Sequence, residues 1–324
     1  MLGPVVELAP AKINLCLHVT RRRADGYHEL DSLVAFAAVG DSIRLEPFPD
    51  RVFLRVIDGF QQDSGGITQA VVPAGTDNLA WRALALGARS AGGLAGGLGL
   101  SLTKRLPAGA GLGGGSSDAA AVLRALARLS GGRPGGGLAA GAVSLGAVSL
   151  GAVALGADVP MCLAPRPYRA RGIGERLQPV ALGRDLPAVL AWPGRAVATP
   201  AVFAARRGAF GTPVPDAVLA GLAGDDPAAA LAELRNDLTK AACAVEPAIG
   251  DALAAVGALP GCRLARMSGS GSAVFGLFDA PAEAAAAAAA LQRTRPGWWV
   301  RATVLRAGPV ETAGDPGGDP DGPG

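Results

Sequence analysis

A chain of 324 residues, half of them hydrophobic, can bury one large core or two ordinary ones, but aromatics at only 4% leave few large anchors. A net charge of +3 suits a small anionic ligand and is too mild to argue for a nucleic-acid partner. Two histidines, His18 and His28, give little material for a histidine-bound zinc or a Ser-His-Asp triad, and Cys16, Cys162, Cys243 and Cys262 form no C-x-x-C pair, so they read as reduced thiols of a cytoplasmic protein.

Residues 1–8 lack a basic segment before their apolar residues, so secretion is not expected. Val5–Leu8 and Ala11–Val19 read as strands. In the second, Lys12, Asn14, Cys16 and His18 alternate with Ile13, Leu15, Leu17 and Val19, so Lys12 and Asn14 share one face. The bland reading of that face is wet surface; a buried lysine there would need a carboxylate. Arg21-Arg22-Arg23 reads as a solvated turn or a phosphate neighbour. Asp25-Gly26 signals a turn, and the Tyr27-His28 pair after it can stack on a base or form a structural corner. Ser42–Leu45 and Val52–Ile57 are further strands, residues 61–74 an irregular connection, and Asn78–Ala91 a helix capped by Thr76 or Asp77.

A short strand, Leu100–Thr103, then leads through Lys104-Arg105 into the loop Leu106–Asp118. Five of its seven residues 109–115 are glycine, which leaves backbone N-H groups bare, and Ser116 and Ser117 add hydroxyls. A helix follows over Asp118–Leu129, with Val122, Leu123, Leu126 and Leu129 on one face and Arg124 and Arg128 on the other. Bare amides at a helix start make an anion cradle, and phosphate is the usual guest. Gly109, Gly111 and Gly114 also satisfy the dinucleotide fingerprint, but no Asp or Glu occurs between Asp118 and Asp158 to hold a ribose. The Walker A ending and the protein-kinase signatures are absent too.

Residues 141–160 stutter in fives, Gly-Ala-Val-Ser-Leu and its variants, a period that fits neither helix nor strand. The uncharged stretch Pro134–Ala157 is long enough to span a bilayer, but it is rich in Gly, Ala and Ser, which argues against a membrane span. Deleting Gly141–Leu150 should leave folding and turnover nearly intact; collapse of expression would refute a surface insertion. The last copy of the repeat ends in Asp158, the one acid in an apolar neighbourhood. A lone carboxylate there needs a partner, and Lys12 is a plausible one. Strand-like Ala188–Trp192, then Thr199–Phe203, precede a helix over Ala228–Ala244. A second small-residue loop, Arg266–Ser272, follows, then a strand at Ala273–Phe278, a helix capped by Asp279, and a last strand at Trp299–Leu305. From Gly308 the composition predicts a disordered tail.

Five segments together resemble the GHMP kinase superfamily over roughly residues 5–305: residues 9–15, residues 23–30, the loop Pro107–Asp118, Gly156–Pro160 and Met267–Gly271. The resemblance implies a two-domain α/β (α+β) fold. A ribosomal-S5-like, ATP-binding domain would cover residues 1–165 and a ferredoxin-like domain residues 166–307, with the active site in the cleft between them and the tail at 308–324. It implies ATP-dependent phosphorylation of the 2-hydroxyl of 4-diphosphocytidyl-2-C-methyl-D-erythritol on the non-mevalonate isoprenoid route. Asp158 would take the hydroxyl proton and Lys12 would orient it. ATP, with Mg²⁺, would sit on Asn78, Lys104, Pro107, Ala108, Gly109, Ala110, Gly111, Leu112, Gly113, Gly114, Gly115, Ser116 and Ser117. Asn14 would lie near the erythritol, and Tyr27, His28 and Phe203 would hold the cytosine. Ser268, Gly269, Ser270 and Gly271 would support the phosphate loop. The implied protein is a cytoplasmic monomer or homodimer with a small-molecule substrate and neither a nucleic-acid nor a membrane partner.

Overall fold

The computed structural model describes residues 3–59, 72–73, 75–90, 97–129, 152 and 154–313. The two expected N-terminal strands are one, β1 (Val5–Arg22), which pairs antiparallel along most of β2 (His28–Phe48). Register shifts at Pro10/Lys12, Asn14/Cys16 and Val19/Arg21 break the ladder, so strict alternation does not hold through β1. β3 (Val52–Asp58) runs parallel to β4 (Gly97–Lys104), and β4 pairs with the far half of β2. Helices α1 (Leu79–Ser90) and α2 (Gly114–Leu129) cover this first sheet, and their apolar faces meet Phe36, Ile43, Leu45, Leu100 and Leu102 in one core.

α2 buries Val122, Leu123, Leu126 and Leu129 as its spacing predicts. Its opposite face is not simply wet. Arg124 Nε and Arg128 Nη1 reach the two carboxylate oxygens of buried Glu7 on β1, at 2.9 and 2.8 Å. The short helix α3 (Val159–Leu163), with Pro160 in its first turn, packs on α2. Next come β5 (Tyr168–Gly172) and β6 (Arg176–Pro179), unexpected from sequence. β5 pairs with β2, so the first sheet takes in residues beyond the expected boundary at 165.

The second sheet is β7 (Leu186–Trp192), β8 (Leu264–Met267), β9 (Val274–Leu277) and β10 (Trp299–Leu305), in the order β10-β7-β9-β8. A single pairing, Leu305 with Ala37, joins it to the first sheet. Between β7 and β8 lie α4 (Thr199–Ala205), α5 (Asp216–Leu222), α6 (Pro227–Ala232), α7 (Thr239–Val245) and α8 (Ala248–Gly257); α9 (Pro281–Thr294) precedes β10.

Several expected bounds move for identifiable reasons. The one helix expected over Ala228–Ala244 is α6 and α7, because residues 235–238 turn to β1: Leu17 N donates to Arg235 O at 3.0 Å and Val19 N to Asp237 Oδ2 at 2.8 Å. Asn and Asp side chains compete with helical backbone bonds in this way. Asp279 does not cap α9; its carboxylate takes Arg263 at 2.5 Å and Arg184 at 3.2 Å. The composition-based tail starts later than Gly308, since Val310 N donates to Pro165 O and Leu8 N to Thr312 O, each at 2.8 Å. The connection at 61–70 and the repeat tract at 141–150 fall outside the described residues. Among the described residues no helix is long and apolar enough to cross a membrane.

Candidate active site

Two cavities meet at the glycine-rich loop. One, of about 410 Å³, is lined by Asn78, Lys104 and residues 107–116; the other, of about 1100 Å³, opens between the two sheets and is lined by Lys12, Asn14, His28, Asp158, Phe203 and Ser270 among others. Gly111 and Gly113 line both, so the loop backbone is the wall between them.

α2 begins at Gly114, four residues earlier than the sequence suggests, so Gly114, Gly115 and Ser116 are its first turn. Their amides have no helical carbonyl to reach, and all three residues line the smaller cavity. The loop before them is fixed from both sides. Lys12 N donates to Leu112 O and Ala273 N to Ala110 O, each at 2.8 Å, and Ser268 Oγ donates to Gly111 O at 3.1 Å. Gly111 takes φ +79°, and a Cβ there would stand 2.6 Å from Gly271 O and 2.8 Å from Ser268 O. Gly111→Ala should therefore displace the loop from the 268–271 segment and raise KM for ATP by roughly 10-fold or more, since strain of about 1–3 kcal/mol is at stake. Calorimetric ATP titration checks this, and unaltered ATP affinity would show the contact to be soft.

Not every expected phosphate contact is free to make one. Ser117 donates its hydroxyl to Pro10 O at 2.6 Å and its amide to Gly113 O at 2.9 Å, so it fastens the loop to β1. Asn78, in place of Thr76 or Asp77, caps α1: its Oδ1 accepts from Ala80 N at 2.8 Å, and its Nδ2 donates to Pro73 O at 2.7 Å. Lys104 is buried between Asp41 and Asp118, bonded to Asp41 Oδ2 and, at 2.8 Å, to Asp118 Oδ2. Asp41 Oδ1 also accepts from Arg105 N at 2.6 Å and Leu106 N at 2.8 Å, which anchors the chain where it enters the loop. One cation cannot satisfy two buried carboxylates. Burial pushes Asp118 up to about 8, with Lys104 opposing and Asp41 adding to the rise.

On the other side of the wall, Lys12 Nζ donates to Asp158 Oδ2 at 2.8 Å. The lysine is nearly buried (8% exposed) while Asp158 is 36% exposed, and Asp158 Oδ1 has no hydrogen-bond partner among the described residues. The carboxylate is thus held by one oxygen and offers the other to the cleft. Asn14 sits beside them; its Nδ2 donates to Ser32 Oγ at 2.8 Å, whereas its Oδ1 is buried without a partner among the described residues. Ser268 Oγ takes Asn14 N at 3.1 Å, and Asn236 Nδ2 bridges Met267 O and Gly269 O at 2.9 and 2.8 Å. The 268–271 loop therefore spans from the glycine-rich loop to β1.

The far end of the cleft is aromatic. His28 stacks on Phe203 with ring centroids 4.9 Å apart and planes 22° from parallel; Phe210 is tilted against His28 at 6.2 Å. Partial burial, then Arg206 and Arg22, hold His28 below the ordinary histidine range, so it presents a neutral ring. Tyr27 lines the same cleft but is 62% exposed. The thiols of Cys16 and Cys162 are pushed up to about 12 by burial and take no part. Asp41, Ser32 and Phe210 carry no local signal of a site role in the sequence, and Asn236 reads there only as part of a helix.

Comparison with known proteins agrees with this layout. Residues 78–165 match the GHMP kinases N-terminal domain and residues 222–296 the GHMP kinases C-terminal domain. The 4-diphosphocytidyl-2-C-methyl-D-erythritol kinase of Dinoroseobacter shibae is 46% identical over 94% of this chain and 96% of its own length; that of Methylorubrum extorquens is 47% identical over 92% and 97%. A crystal structure of 4-(cytidine 5'-diphospho)-2C-methyl-D-erythritol kinase superposes with a TM-score of 0.74 at 41% identity, covering 93% of this chain and 99% of its own. Homoserine kinase from Cytophaga hutchinsonii shares the fold at 17% identity, with a TM-score of 0.69 over 95% and 96% of the two chains. With a glycine-rich loop walling off a lysine-carboxylate pair, and relatives matched over nearly its whole length, this chain belongs to the GHMP kinases, in the family of the 4-diphosphocytidyl-2-C-methyl-D-erythritol kinases.

Proposed function

We infer that the chain transfers the γ-phosphoryl group of ATP to the 2-hydroxyl of 4-diphosphocytidyl-2-C-methyl-D-erythritol. The observation that carries this reading is the position of the Lys12–Asp158 pair against the shared wall at Gly111 and Gly113, with a nucleotide-sized cavity on each side. ATP phosphates would lie on the first-turn amides of α2. The acceptor hydroxyl would approach Asp158 Oδ1 and pass its proton there as the oxygen attacks phosphorus and the bond to the β-phosphate oxygen breaks. Lys12 would hold the carboxylate in place and meet the growing negative charge. Asn14 Oδ1, lacking a partner, would accept a second hydroxyl of the acceptor and fix which one faces phosphorus. Cytosine would rest against Phe203, His28 and Tyr27.

Mg²⁺ fits this site in one respect. Asp118 is engaged by Lys104 and Asp158 by Lys12, but the Ser116 hydroxyl lines the ATP cavity with no partner among the described residues. Ser116 would hold the ion as a hard oxygen donor, with phosphate oxygens and water completing its shell, and the bound ion would offset phosphate charge. A second reading, a kinase of homoserine or mevalonate, has the fold in its favour, yet neither substrate needs the His28, Phe203 and Phe210 rings. ADP release with Mg-ATP and each of the three acceptors tests the choice: turnover is expected with the cytidylated acceptor alone, and turnover of either other acceptor in its place would overturn it.

A further inference from the structure

Of the basic run Arg21-Arg22-Arg23, the outer two have carboxylate partners, although Glu29 also takes Arg176 at 2.5 Å. Arg21 pairs with Glu29 at 3.1 Å and Arg23 with Asp25 at 3.0 Å. Arg22 pairs with no carboxylate among the described residues and lines the larger cleft. Also on the cleft, just past α4, Arg206 is held by main chain and a ring alone: its Nη2 donates to Ala209 O at 2.6 Å and its guanidinium carbon lies 4.8 Å over Phe210. Its Nε is buried with no hydrogen-bond partner among the described residues. The neighbouring Arg207 spends one nitrogen on Ala204 O and Arg206 O. Once Lys12 and Asp158 are set against each other, the cleft lining retains Arg22, Arg206 and Arg207 and no acid. Like charges gathered without counterions repel, and an anionic ligand relieves them.

We propose that Arg22 and Arg206 are the receptor for the diphosphate that links the cytidine to the acceptor alcohol, so that the cleft recognises a nucleoside diphosphate and not the base alone. The inference rests on the function proposed above and adds to it the residues that set substrate class. The diphosphate must begin near the base and run toward Lys12 and Asp158. Arg22 and Arg206 both act on the His28 ring, at the aromatic end where that path starts. A guanidinium presents a planar fork that matches phosphate oxygens, and stacking on Phe210 orders the Arg206 fork before ligand arrives.

Calorimetric binding of CDP and of cytidine to the full chain, without ATP, tests this in Arg22→Gln and Arg206→Gln. Each variant should bind CDP roughly 10- to 100-fold more weakly, the span expected for lost hydrogen bonds to a charged group, with cytidine affinity unchanged. In turnover, KM for the cytidylated substrate should rise while KM for ATP holds. Arg22 makes no internal ion pair, so Arg22→Gln guards against misfolding as the cause. CDP affinity equal to that of the unaltered chain, or an equal loss of CDP and cytidine in Arg22→Gln, would overturn the receptor. If the unaltered chain binds neither ligand, the cytidine reading itself falls, and the receptor with it.

Discussion

Asp158→Asn should lower turnover about 100- to 10,000-fold, the usual range for loss of a positioned general base, while leaving ATP affinity unchanged. The amide keeps the shape and can still accept the Lys12 bond at 2.8 Å, so the change removes proton-accepting power and little else. Removing the countercharge of Lys12, which is 8% exposed, costs some stability, but Asp158 is 36% exposed and the amide keeps the hydrogen bond, so the variant should still fold. Single-turnover assays beside calorimetric ATP binding separate the outcomes. Retained turnover would mean that the carboxylate only holds Lys12 and that the attacking hydroxyl loses its proton elsewhere.

The second large effect is structural. Lys104→Met should destabilise the fold by about 3–5 kcal/mol, because it leaves the buried Asp41 carboxylate without its cation beside Asp118. Adding Asp118→Asn should change that loss little near neutral pH, where Asp118, held up to about 8, is already mostly protonated beside Asp41. Thermal melts of the three variants check the order. Asp118→Asn alone has a pH signature. The folded-state value near 8 lies above the ordinary 3.8, so the folded chain holds this proton more tightly than the unfolded chain. That contribution is complete below 3.8 and is lost as pH rises through about 8. The melting temperature of the unaltered chain, minus that of Asp118→Asn, should therefore fall between about pH 4 and about pH 9. A flat difference would show Asp118 ionised throughout.

Much of the site could be read from the chain because its chemistry is local. Glycine spacing marked the loop that leads into α2, and a lone acid after an apolar tract pointed to Asp158 and to its lysine partner. The parts that escaped depend on distant segments. The apolar run at residues 33–39 is strand-like, but nothing in it shows that the strand must carry Asp41 under the loop entrance, where Gly40 lets the backbone of Ala9 and Pro10 lie close. Lys104 looked available for nucleotide because its two carboxylate partners lie 63 and 14 residues away. Asn236 looked helical until β1 bonded to its neighbours. Local pattern specifies elements, whereas burial of charge and edge pairing are decided in three dimensions.

The free edge of β1 has a bearing on how the chain comes off the ribosome. β2 covers one side of that strand; on the other, Leu17 bridges to Asn236, Glu7 bridges to Ala313, and Leu8 donates to Thr312. The partners of Glu7 and Leu8 at 312–313 are made last, so until they emerge the start of β1 carries an open edge able to pair with another nascent chain. Stalling translation just before residue 308 should leave the edge at Glu7 and Leu8 bare, and supplying the missing C-terminal segment as a separate peptide should close it.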